Sequence, residues 1–161
     1  MGEAPLGTRS LVVSVAELDR WRIEARRWLE DAREDLAAAR DLAATHHYAL
    51  ACFHCQQAAE KAVKAVLYAN HVEARGHSVT ALLDELSRRK GLKLGEDHIR
   101  NARLLDKHYS PPRYPNLHPG IELPAHELYG KEDAQACLKA AEELLKFLEE
   151  LLRLLGATSS S

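Results

Sequence analysis

Residues 48–70 read YALACFHCQQAAEKAVKAVLYAN. The apolar residues Ala51, Cys55, Ala58, Ala59, Ala62, Val63, Val66 and Leu67 recur at steps of three and four. That spacing draws one stripe along an α-helix. Half of the stripe is alanine, so another helix can approach closely. Gln57, Glu60, Lys61 and Lys64 form a polar ridge beside it. The ridge reads either as a solvated face or as the wall of a nucleotide groove.

The same period extends on both sides. Upstream, Trp21, Ala25, Trp28, Leu29, Ala32, Leu36, Ala39 and Leu42 predict a helix over 17–44, with His46-His47 in a short break. Downstream, Gly76 interrupts and Ser78 offers an N-cap for a helix over 79–90. Ile99, Ala102, Leu104 and Leu105 predict another over 96–109, which Pro111-Pro112 stops. A last helix over 131–155 sets ten apolar residues, from Ala134 to Leu155, on one broad face and is expected to end at Gly156. The expected fold is all-α, an antiparallel up-and-down bundle of about five helices. It occupies residues 17–156, with an N-terminal arm at 1–16 and a tail at 157–161.

Composition agrees. The chain has 161 residues, enough for one core. Leu (26) and Ala (25), both strong helix formers, make up about a third of it. Strand-favouring β-branched residues are scarce, which argues against an all-β fold. A net charge of −2 excludes a globally basic coat for nucleic acid. No run of eighteen apolar residues predicts a membrane span, and the N-terminus lacks a signal-peptide pattern. Three cysteines are too few and too odd in number for a secreted disulfide scaffold, so a cytoplasmic protein is expected.

Residues 110–130 hold five prolines and two glycines and show no periodicity. A loop of that length inside a compact domain is usually functional or disordered. Charge is segregated around it. Residues 86–113 carry eight bases and three acids, a net +5, while 122–150 carry three bases and eight acids, a net −5. The basic third suits an anionic ligand, although two solvated helix faces would give the same pattern. Within it, Arg113 and His118 stand five residues apart. A guanidinium offers a fork to phosphate oxygens, and an imidazole moves a proton near neutral pH. The pair therefore reads either as a phosphodiester site or as two loop-fastening hydrogen bonds. Lys107, Tyr109, Tyr114 and Asn116 lie around it in sequence.

Residues 51–65, ACFHCQQAAEKAVKA, followed by His77-Ser78, Tyr109 and the run Arg113-Tyr114-Pro115-Asn116, resemble the HEPN domain family. The resemblance covers about residues 27–152. It implies a five-helix bundle, a homodimer, and pairing with a minimal nucleotidyltransferase. Many members resemble the toxins of toxin–antitoxin pairs, and catalytic members are metal-independent endoribonucleases with four to six residues between Arg and His. On that resemblance Arg113 and His118 are the catalytic candidates. Lys107, Tyr109, Tyr114, Asn116, Lys61 and Lys64 are the candidates for holding a nucleotide or RNA. The alternatives are a non-catalytic adaptor that presents substrate to the transferase, and a structural dimer without ligand.

Cys52 and Cys55 make a C-x-x-C with histidines nearby, but two helical thiols lack the further ligands of a tetrahedral site and read as core. No metal and no cofactor is expected. Trp21 and Trp28, seven apart on one stripe, read as core or dimer contact.

Overall fold

The computed structural model describes residues 14–157, and among these it contains helices and no strand. The five α-helices are α1 (Val15–Ala44), α2 (Tyr48–Ala69), α3 (Val79–Lys90), α4 (Glu96–Asp106) and α5 (Lys131–Ala157). The fold is the expected all-α bundle. Most of the arm and the tail expected at 1–16 and 157–161 lie outside the described residues. Where the two meet the bundle, the helices are longer than expected. α1 begins at Val15, two residues before Glu17, because Ser14 and Glu17 form a reciprocal cap: Ser14 Oγ accepts from the Glu17 amide and Glu17 Oε2 from the Ser14 amide, both at 3.2 Å. α5 runs through Gly156 to Ala157. No helix among the described residues is long and apolar enough to cross a membrane.

α2 is the central helix and packs on the other four. Fourteen of its twenty-two residues are buried, which explains why its apolar stripe is so broad. Ala58, Ala59 and Ala62 have no exposed surface and bring α1 and α5 close to its axis. α1 adds Ala32, Leu36 and Ala39, and α5 adds Cys137, Ala141, Leu144 and Leu148. Trp21 and Trp28 pack on the far end of α2, each with its ring 5.8 Å from that of Tyr68. They are half-buried within the chain itself.

α4 ends at Asp106, three residues before the expected stop. The reason is a long-range cap. The Asp106 carboxylate accepts from Ser78 Oγ (3.0 Å) and from the amides of Val79 (2.7 Å) and Thr80 (2.9 Å) at the start of α3. A carboxylate satisfies the unpaired amides of a helix N-terminus and complements its dipole. The chain then leaves α4 as an irregular loop, residues 107–130, with two short 3₁₀ turns at Pro115–Leu117 and Ala125–Leu128.

Candidate functional site

The polar ridge of α2 is not a solvated face along its whole length. Glu60 and Lys64 are only 4% and 6% exposed, and Gln56 is fully buried. Burying an unpaired charge is costly, so such a group needs partners. Glu60 Oε1 accepts from Lys64 Nζ (3.0 Å) and from His77 Nδ1 (3.1 Å), and its Oε2 accepts from Gln57 Nε2 at 3.2 Å. Gln56 Nε2 donates to the His77 carbonyl at 2.7 Å. Together these bonds fix the segment that links α2 to α3.

The bond to Glu60 also sets the state of His77. A carboxylate that faces a ring nitrogen accepts from it, so the bond to Glu60 assigns a proton to Nδ1. The His77 side chain is largely exposed. Its ring stacks on Tyr109, with centroids 5.0 Å apart and planes 15° apart.

Arg113 lies on the same tyrosine. Its guanidinium carbon sits 4.3 Å from the centre of the Phe53 ring, 4.9 Å from Tyr109 and 5.0 Å from Tyr114. Arg113 Nε donates to the Tyr109 carbonyl at 2.9 Å. Its two terminal nitrogens make no hydrogen bond or ion pair among the described residues. Three rings and one carbonyl therefore hold the cation in place while its fork stays available. Arg113 also borders a cleft walled by His46 and His47, from the α1–α2 turn, and by Pro112, Pro124 and His126 from the loop.

The structure thus joins Tyr109, Arg113 and Tyr114, as their sequence proximity suggested, and adds Phe53 and His77. His118 is placed differently. Its Nε2 donates to the Pro111 carbonyl at 2.8 Å, and no hydrogen bond or ring contact links it to Arg113. It follows the 3₁₀ turn Pro115–Leu117 that separates the two residues. Asn116 is exposed on that turn, and Lys107 is exposed beside Arg100 and Arg103 on α4.

Lys64 is occupied by Glu60 and lies 5.1 Å over the Trp28 ring. Lys61 Nζ is 2.6 Å from Asp35 Oδ2, and His54 Nδ1 is 2.9 Å from Asp35 Oδ1. Burial alone would raise the Asp35 pKa. The hydrogen bonds and charges of His54 and Lys61 outweigh it and hold the carboxyl below its ordinary value. Lys61 and Lys64 therefore both work within the fold.

Sequence reading missed Phe53 and His77 as parts of this site. Both had visible signals: Phe53 interrupts a stripe of small residues, and His77 stands directly before the α3 N-cap. Their joint role rests on a meeting between α2, the α2–α3 link and the loop.

A second polar group lies behind the site. The Cys52 and Cys137 sulfurs are 2.6 Å apart, and His108 Nδ1 is 3.2 Å from the Tyr129 hydroxyl. The hydrogen bond from Cys137, then burial, push the Cys52 thiol far above its ordinary value. Burial does the same to Cys55 and Tyr129 and holds His108 below the usual imidazole range. Cys52 is thus paired with Cys137, 85 residues away, and not with Cys55 of the C-x-x-C.

Comparison with known proteins places this geometry in context. Residues 25–151 match the model of the HEPN domain. A Methanocaldococcus jannaschii protein named "Putative toxin MJ1304" is 36% identical over 138 residues, covering 80% of this chain and 88% of that one. The crystal structure of TT1696 from Thermus thermophilus superposes with a TM-score of 0.74 at 41% identity, covering 80% of this chain and 98% of that one. ST0689, an archaeal HEPN homologue, gives 0.67 at 35% identity, covering 80% and 98% of the two chains.

Proposed function

This chain belongs to the HEPN domain family, and we propose that it binds RNA or a nucleotide at Arg113 as the toxin-type partner of a minimal nucleotidyltransferase. One observation carries the reading. The Arg113 guanidinium is fixed over Phe53, Tyr109 and Tyr114 with its terminal nitrogens unspent. A phosphate needs such a fork, and exposed Tyr114 offers a face on which a base can stack. His46, His47 and His126 line the cleft that Arg113 borders, and His77 stacks on the Tyr109 ring that Arg113 also touches. The name of the M. jannaschii relative supports the toxin reading.

The sharper form of the proposal is cleavage of RNA without a metal at the phosphate. The ribose 2′-hydroxyl attacks the adjacent phosphorus while an imidazole takes its proton. The bond from phosphorus to the 5′-oxygen breaks as a second imidazole, or the same one later, supplies a proton to that oxygen. Arg113 stabilises the charge that builds on the phosphorane. The products are a 2′,3′-cyclic phosphate and a free 5′-hydroxyl. His118 is the proton carrier by sequence spacing. His77 is the second candidate, because Glu60 holds its Nδ1 and its exposed ring stacks on Tyr109, which also carries Arg113.

The test is RNA cleavage by purified protein without magnesium. His118→Ala is expected to lower the rate by about 10²–10⁴-fold, the usual contribution of an acid–base group. If His77→Ala does so and His118→Ala does not, the role passes to His77. If the parent protein leaves RNA intact yet binds it through Arg113, the chain is the non-catalytic adaptor.

A further inference from the structure

Cys52, His108 and Cys137 converge inside the bundle from three separate segments: the first turns of α2, the residues just beyond α4, and α5. One donor atom of each, two sulfurs and an imidazole nitrogen, all lie within 4.8 Å of one another. Both thiols are buried and the imidazole is half-buried. Nothing in the phosphate site uses them.

Two sulfurs and a nitrogen form the donor set of a zinc-type ion, whose bonds are about 2.3 Å to sulfur and about 2.0 Å to nitrogen. The third donor is the discriminating observation. An ion uses all three groups, whereas a Cys52–Cys137 cross-link uses two; the sulfurs, 2.6 Å apart, must open to about 3.7 Å to share one tetrahedral ion. The Tyr129 hydroxyl lies 3.2 Å from His108 Nδ1, and with Nε2 on the ion it would serve as the kind of outer partner that holds a ligating ring in one orientation. Soft ligands in this arrangement were invisible to the C-x-x-C reading, because Cys55 points into the core while Cys52 meets Cys137.

We propose that Cys52, His108 and Cys137 bind one divalent zinc-type ion, with water in the fourth position. Each thiol releases a proton to solvent as its sulfur–metal bond forms, and no electron is transferred. The ion's place in the fold defines its task. His108 and Tyr129 stand at the two ends of the loop that carries Arg113. An ion there fastens the stem of that loop to α2 and α5 and takes no part in the phosphate chemistry.

The experiment uses the full chain, purified anaerobically with reductant, stripped by chelator and then titrated with Zn²⁺ or Co²⁺. One ion per chain is expected. The cobalt form should show sulfur-to-cobalt charge-transfer absorption and the visible bands of tetrahedral coordination. Cys137→Ser and His108→Gln are each expected to weaken binding at least about tenfold, since loss of even an outer partner costs 10–100-fold. Cys55→Ser should bind like the parent. His108→Gln keeps both thiols and guards against misfolding of the cysteine variants, with circular dichroism as the check. Three results would overturn the proposal: no uptake at micromolar metal, parent-like affinity in His108→Gln, or only one reactive thiol in the denatured, unreduced chain, which would mark a Cys52–Cys137 cross-link instead.

Discussion

On the helix side of the Arg113 cleft, charge is turned inward. Glu60, Lys64 and Gln56 are buried and bonded to one another or to the α2–α3 link. On the loop side, Tyr114, Asn116 and Leu117 are exposed, and the main polar bonds are short-range: Arg113 to the Tyr109 carbonyl and His118 to the Pro111 carbonyl. In sequence the helix side is a polar ridge that a solvated face would also give, and the loop side is an aperiodic stretch around Arg113. Burial separates them. Charges on the helix side are consumed in holding the fold, while those on the loop side are held by local contacts and remain available to a ligand.

The largest effect expected from this contrast is on stability. Glu60→Gln leaves the Lys64 ammonium buried without its counter-charge. Breaking a buried pair in this way costs roughly 3–5 kcal/mol, moderated here by the Trp28 ring beneath the ammonium. Denaturant unfolding measures it. A loss under about 1 kcal/mol would put Glu60 with the loop residues instead.

Arg113→Ala should do the reverse. It should weaken binding of short RNA about 10–100-fold, the worth of a charge-assisted contact of roughly 1.5–3 kcal/mol, and barely change the unfolding midpoint. Arg88 is the control, since it is an exposed α3 residue paired with Asp84 at 3.0 Å. Arg88→Ala should cost less than Arg113→Ala in fluorescence-anisotropy titrations. Equal losses would reduce the cleft to general electrostatic attraction.

The smallest effect belongs to Asp35, which lies on the helix side but nearer the surface. Its folded pKa lies below the ordinary carboxyl value of 3.8, so its contribution is fully present above that value and is lost as pH falls through the folded pKa. Asp35→Asn is expected to cost about 1–2 kcal/mol at neutral pH, the value of a charged hydrogen-bond partner, and the two proteins should converge in stability at strongly acid pH. A difference that stays constant down to that range would assign the loss to packing.

Most of the architecture was legible because it is periodic. The stripe of α2, the Ser78 cap and the proline-rich loop each left a local mark. The early end of α4 left none, because Asp106 is withdrawn from the helix end by amides 26 and 27 residues upstream. The site was half legible for the same reason. Tyr109, Arg113 and Tyr114 lie within six residues of one another. Phe53 and His77 join them only through the packing of α2 and its link to α3. Lys61 and Lys64 stand out in sequence as part of a polar ridge at helical spacing, and spacing cannot reveal that Asp35 and Glu60 pair with them.

The Asp106 cap has a consequence for motion. It ties the first turn of α3 to the residue from which the long loop departs, so the two must open together. The amide protons of Val79 and Thr80, remote in sequence from Arg113, are thereby latches on the loop's origin. Their hydrogen-exchange rates report how often that end of the protein lets go.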